Sequence, residues 1–396
     1  MSTRRIVTIM KSVTANSGAV AAILVLALLP LPVMAQLVKP QLTIEEDCQT
    51  FAVSQDNKIV YAVSHLKRLK KLILERDDIW VSSADGKKKR ILEGDKFMPA
   101  TQTTSFTVTS LAWSPDGQRI TVAMEMQVMS ENPEAAAKSG RSVLLLDEEG
   151  REISIAGNTP AAAPAPAAPA KPAGFSSSDD APAPSAGPPT RPSMIDSVSS
   201  GVWLADGTTV AYLTGAGPYQ INTLRPADGQ KKLLFEGHTF QAVEWDARRN
   251  QAFGITQGLR GPLVLMQLDL VHETLRELAA PPGYDGQLSV SPSGKRVAYF
   301  YNGDVLEVRD VAHPENPMDV RVGYGRFEWS KDERRILLKR GPEKRSGNLV
   351  WISFPEGNFK PFLHDLIFHD FTIAPDGETV VVTQPGKRVL MVYRVK

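Results

Sequence analysis

From Leu111 the chain reads LAWSPDGQRITVAM: an alternating apolar run, a Ser-Pro-Asp-Gly turn, then a second alternating run. Alternation with a period of two marks a β-strand with one face buried. The turn residues explain the reversal between the runs. Pro presets the first corner, Asp bonds back to the backbone through its side chain, and Gly accepts the positive φ that lets the chain turn. The unit recurs as FAVSQDNKIVYAVS from Phe51, GVWLADGTTVAYLT from Gly201, AVEWDARRNQAFGI from Ala242, QLSVSPSGKRVAYF from Gln287, RFEWSKDERRILLK from Arg326 and DFTIAPDGETVVVT from Asp370. The fourth and sixth copies lack the turn Gly, so their turns are expected to be longer or strained.

A second hairpin follows most copies, as in DDIWVSSADGKKKRIL, RSVLLLDEEGREISIA, YQINTLRPADGQKKLLF and NLVWISFPEGNFKPFL. Two hairpins per unit make four antiparallel strands. From the third copy on, the repeats follow one another at 39 to 45 residues, the spacing of a propeller blade. Seven copies predict an all-β, seven-bladed β-propeller. The last copy supplies three strands, and Pro40-Gln41-Leu42-Thr43-Ile44 resembles an outer strand. Residues 37–45 are therefore expected to complete the seventh blade and protect its open edge. Residues 36–396 read as one propeller domain.

One column of the repeat holds Val53, Trp113, Trp203, Trp245, Val290, Trp329 and Ile373. Large apolar residues at one position predict packing between neighbouring blades. Glu244 and Glu328 precede two of these Trp residues at the same offset, and are candidate channel acids. Antiparallel alternation puts the loops joining strands two to three and four to one on a common face. The long insertions read as falling there: 65–77 within blade one, 126–141 within blade two, and 157–195 between blades two and three. The 157–195 segment is Ala/Pro-rich with a Ser-Ser-Ser-Asp-Asp core, and is expected to be disordered or polyproline-like. Lys67, Arg68, Lys70, Lys71 and Arg76 cluster in the first insertion, as a solvated hairpin edge or a docking site for an acidic partner.

Composition refines this picture in three places. Arg4, Arg5 and Lys11 precede an apolar run from Ala19 to Leu31, and Val33-Met34-Ala35 resembles a cleavage site. Residues 1–35 therefore read as a signal peptide and the protein as periplasmic or secreted; an uncleaved anchor is the rival reading. Without that segment the chain carries 42 basic against 44 acidic residues, a balance of −2 that gives no case for nucleic acid. Cys48 is the one cysteine, so no intrachain disulfide supports the fold, and it reads as a small buried residue.

The Ser-Pro-Asp-Gly unit resembles the TolB-type, WD-like propeller repeat over most of residues 46–396. The stretch Ile79-Trp80-Val81 with Ala84-Asp85-Gly86 is also similar to a blade of prolyl-oligopeptidase-type peptidases. These resemblances imply the fold and little of the function. The sequence holds no G-x-S-x-G elbow, so peptidase activity does not carry over. It also holds no H-E-x-x-H, paired-cysteine or Walker pattern. His364 and His369 flank Asp365 in HDLIFHD, followed by Asp370, and could meet at a metal only if the chain turned them inward; His272-Glu273 is a weaker candidate. No catalytic residue, metal or cofactor is assigned. The expectation is a monomeric, non-catalytic interaction or scaffolding module for a protein partner in the cell envelope, with no membrane span after signal cleavage. A hydrolase- or lactonase-like propeller enzyme, or a small-ligand or glycan binder using the channel, is the alternative.

Overall fold

The computed structural model describes residues 39–395, apart from 70, 99–102, 130–137, 159–190, 258–260, 324, 341–346, 355, 367, 369 and 385–388. The signal-peptide reading, Lys70, His369 and most of the Ala/Pro-rich insertion fall outside the described residues.

Among the described residues the chain forms seven four-stranded antiparallel sheets and one two-stranded ribbon. Blade one is Cys48–Val53, Ile59–Val63, Asp78–Ser82 and Lys88–Leu92. Blades three to six follow the same in-to-out meander, with inner strands Val198–Trp203, Ala242–Asp246, Leu288–Val290 and Phe327–Trp329. Blade seven takes Asp370–Ile373, Thr379–Gln384 and Val389–Arg394 from the end of the chain. Its fourth strand is Leu42–Ile44, in register Leu42 to Val392 and Ile44 to Leu390. The expected closure of the ring by an N-terminal strand within 37–45 is observed over Leu42–Ile44; residues 37 and 38 lie outside the described residues.

Seven apolar clusters lie between successive blades. Ile44, Tyr61, Val381 and Leu390 join blades seven and one, and Phe300, Phe327, Ile336 and Ile352 join five and six. Burying each such side chain is worth roughly 1.5–3 kcal/mol, so the core is distributed around the ring. Cys48 belongs to the first of these clusters and is buried, and burial pushes its thiol pKa up. That makes it a packing residue and a poor nucleophile.

The turns between first and second strands hold hands around one face. Gln55 Nε2 donates to the Pro115 carbonyl at 2.8 Å, and the Arg119 guanidinium lies 5.3 Å from the Trp203 ring. The Ala205 N–H donates to Asn250 Oδ1 at 2.8 Å, and Arg249 Nη2 to the Pro292 carbonyl at 2.7 Å. Ser293 Oγ donates to Glu333 at 2.8 Å, Lys331 Nζ to the Asp376 carbonyl at 3.3 Å, and Asn57 Nδ2 to Asp376 Oδ2 at 3.1 Å. One link spans each blade boundary. In blades four and six the turns without Gly keep the usual length, whereas the first turn, with Asn57 at φ 62°, is one residue shorter. Asn250 (φ 53°) and Glu333 (φ 57°) carry the positive φ instead, so they are strained and not longer.

Two insertions are placed differently from expectation. Strands two and three of blade two run to Val128 and from Lys138, so most of 126–141 that is described is sheet and not loop. The Ala/Pro-rich segment does not join blades two and three; it interrupts the outer strand of blade two. Glu152 bridges Leu146 before the interruption, and Met194–Asp196 pair with Ser142–Leu144 after it. The Ile155 N–H donates to the Pro192 carbonyl at 2.7 Å, which brings the two described ends together at the outer rim. The sequence Arg151–Ala156 looks like a complete strand, which hides this break.

Candidate functional site

The larger candidate is the central channel. At the linked-turn side it opens a cavity of about 1040 Å³ lined by residues of six blades, among them Trp113, Trp245, Ser289, Arg326, Glu244 and Glu328. Both candidate acids face this void, as their shared offset in the repeat suggested. Their surroundings differ. Glu328 accepts from the Ile373 N–H at 2.7 Å, from Thr372 Oγ1 at 2.8 Å and from Arg326 Nη2 at 3.1 Å. It therefore ties blade six to the exposed inner edge of blade seven. Arg326 is shared with Asp370 through an ion pair and lies 5.6 Å from the Phe371 ring. Burial raises the Glu328 pKa, and Arg326 with the two donors opposes the rise.

Glu244 has no hydrogen-bond or ion-pair partner among the described residues, and Arg326 acts on it only through space. Burial, followed by repulsion from Glu328, lifts its pKa from 4.5 to about 8. Nearby Asp246 adds a little repulsion, although its own charge is held by Arg249 at 2.8 Å. On the same channel wall, Gln287 is bonded both ways to the Phe327 backbone, receiving its N–H at 2.9 Å and donating to its carbonyl. Glu244 is thus the unpartnered acid of this wall.

The Trp column divides in two. Trp203 and Trp329 are buried between blades, as the column predicts. Trp113 and Trp245 are only half-buried, and they line the cavity together with the edge of Trp329. The Trp113 indole N–H donates to the Ala52 carbonyl at 3.3 Å, which fixes its ring beside the opening.

The second candidate is the insertion of blade one. Leu66–Leu69 and Leu72–Glu75 pair as a ribbon. Its inner face carries fully buried Leu74, and the Glu75 N–H donates to Ser105 Oγ of blade two at 3.1 Å. The outer face presents Leu66 and Ile73, 69% and 62% exposed, beside exposed Arg68. The basic cluster is smaller than its sequence suggested. Arg76 is a correction: it is wholly buried, donating to the Met98 carbonyl at 2.8 Å and the Thr104 carbonyl at 3.3 Å, with Asp95 at 3.3 Å. Lys67 is neutralised by Asp95 at 2.8 Å. Arg68 and Lys71 remain exposed. The alternation of the ribbon explains the division, because residues 67 and 74 share the inner face while 66, 68 and 73 share the outer one.

Behind the ribbon, Asp77 is buried. The Val108 N–H donates to it at 2.6 Å, its other oxygen has no partner, and burial lifts its pKa to about 6. The remaining polar candidates are paired elsewhere or lie on different strands where they are described. Exposed His272 sits 3.0 Å from Asp269, and Glu273 pairs with Lys232 of blade three. His364 and Asp365 belong to the outer strand Phe359–Leu366, whereas Asp370 begins an inner strand and pairs with Arg326. No metal-holding group of three His, Cys, Asp or Glu occurs among the described residues.

No family model and no curated protein matches the chain. The solved structures it resembles include the β-propeller domain of Cps50 (Swd1) from Myceliophteria thermophila. That match has a TM-score of 0.56 at 9% identity and covers 91% of this chain and 100% of that one. TolB from Acinetobacter baumannii matches at a TM-score of 0.40 and 12% identity, covering 85% of this chain and 80% of that one. The first likeness supports the propeller fold alone, and the second is too loose to add to it. No helix among the described residues is long and apolar enough to cross a membrane.

Proposed function

We propose that the chain is an exported, non-catalytic propeller that docks a protein partner of the periplasm or cell envelope, with the blade-one ribbon as its contact element. The observation that carries this reading is the ribbon's outer face, where Leu66 and Ile73 stand exposed beside Arg68 on a support anchored by buried Leu74 and Arg76. Exposed apolar residues on a braced element suit an interface better than bulk solvent. Exposed Arg68 and Lys71 would select an acidic rim on the partner. The distributed core and the linked turns make the ring a stiff platform, so binding would order little of it. The reading of residues 1–35 as an export signal supplies the compartment.

The test is capture from native envelope extract with the mature chain and with a Leu66→Asp/Ile73→Asp variant. The wild type is expected to retain a specific partner that the variant loses, with both proteins showing the same thermal midpoint. Equal capture by the two would remove the ribbon from the reading, and no capture by either would remove the reading itself.

A further inference from the structure

The channel carries an inference independent of the ribbon. We infer that the cavity at the linked-turn side binds a small organic cation, an ammonium or guanidinium head group, with Glu244 as its counter-ion and the Trp113 and Trp245 rings beside it.

The argument rests on what the wall leaves unsatisfied. The three charged groups that act on Glu244 already have partners. Glu328 is held by the blade-seven edge and Arg326, Arg326 by Asp370, and Asp246 by Arg249. Of the acids that line the cavity, Glu244 alone has no hydrogen-bond or ion-pair partner among the described residues. A half-buried carboxyl without a partner ionises less readily, and a cationic guest beside it relieves that penalty. The guest's charge is set by the same inventory. One free carboxylate, with its nearest acidic neighbours spent on other bonds, matches one positive charge and does not supply the ligand set of a divalent metal ion. Its softness is set by the indoles. Two half-buried Trp rings line the same void, and aromatic faces attract weakly hydrated organic cations. Ser289 also lines the cavity.

The linkage supports the geometry. The empty site holds Glu244 largely protonated at neutral pH, so a cationic guest must expel that proton. Affinity should rise as pH increases toward and past about 8. The groups whose charge acts on Glu244 are Glu328, Arg326 and Asp246, and Arg248, Lys331 and Glu333 line the same cavity. Proton release on binding is therefore a signature that simple surface attraction would not give.

The experiment titrates the full-length mature protein with n-butylammonium, with n-butanol as its neutral analogue and butyrate as its anionic one. Trp fluorescence and calorimetry in two buffers of different ionisation enthalpy are the readouts. The expected result is saturable binding of n-butylammonium alone, tighter at pH 8.5 than at pH 6.5, with release of a proton. Glu244→Gln should abolish that binding while remaining folded by circular dichroism. Trp245→Leu should weaken it severalfold. The inference is overturned if n-butylammonium gives no saturable signal at tens of millimolar, if n-butanol binds as well, or if Glu244→Gln binds equally. Because the ribbon and channel lie on separate elements, loss of one result leaves the other standing.

Discussion

Replacing Glu244 by Gln should stabilise the protein, and by an amount that depends on pH. The unfolded chain releases this carboxyl proton near pH 4.5, whereas the folded chain holds it to about pH 8. A raised acid pKa means that the folded state binds the extra proton. Stability is then fully present below 4.5, falls as pH rises, and has lost its whole contribution above 8. Each tenfold difference in proton affinity between the two states is worth about 1.4 kcal/mol. Ionisation of the unfolded chain therefore costs the wild type about 2 kcal/mol at pH 6 and about 5 kcal/mol at pH 9. Gln does not titrate and fills the same space. The stability difference between Glu244→Gln and wild type should therefore grow by about 3 kcal/mol between these pH values. Urea unfolding at matched pH measures it, with an unchanged m-value as the check that the unfolded state is the same. A difference that stays flat from pH 5 to 9 would refute the picture of an unpartnered carboxyl in the channel wall.

Other perturbations probe other parts of the ring. Asp77→Asn should stabilise the protein at pH 7 to 8 by about 1–3 kcal/mol and lose that advantage below pH 4, because the raised acid pKa is again a folded-state proton. Arg76→Ala should cost about 3 kcal/mol or more in urea unfolding, since it strips two backbone carbonyls and Asp95 of a buried donor, while Arg68→Ala should cost less than about 0.5 kcal/mol. Glu333→Ala should be less stable than Glu333→Gly by about 1 kcal/mol, because both lose the bonds to Ser293 but only Gly is unstrained at φ 57°. Ile44→Asp should cost about 3 kcal/mol and favour aggregation on size-exclusion chromatography, by loosening the strand that covers the edge of blade seven.

The ring was legible because its signal is repeated. Seven turns of similar chemistry at blade spacing leave one architecture, and the spare strand around Leu42 had one place to go. The two channel acids were legible as a pair from their shared offset before a Trp. Their inequality was not, because it depends on what blade seven offers: Thr372 and the Ile373 N–H beside Glu328, with nothing comparable for Glu244. Arg76 was misread because KRLKKLILER shows a run of cations and no sign of which the support would swallow. That was settled by the short helix Gly94–Phe97, whose Asp95 and following Met98 carbonyl sit over the guanidinium. The split outer strand of blade two stayed hidden because Arg151–Ala156 satisfies the local pattern while Met194–Asp196 supplies the longer pairing.

The pairing of Leu42–Ile44 with Val392–Leu390 has a temporal meaning. Leu42–Ile44 must wait for Val389–Arg394, so no nascent chain can shut its circle before that distant strand has been made. Until then blade seven is three strands wide at most and its margin stays available to any extended segment nearby. Such a long-range pairing also makes closure slow relative to the assembly of single blades. A chaperone that shields one open margin would therefore matter more for this protein than one that assists each blade.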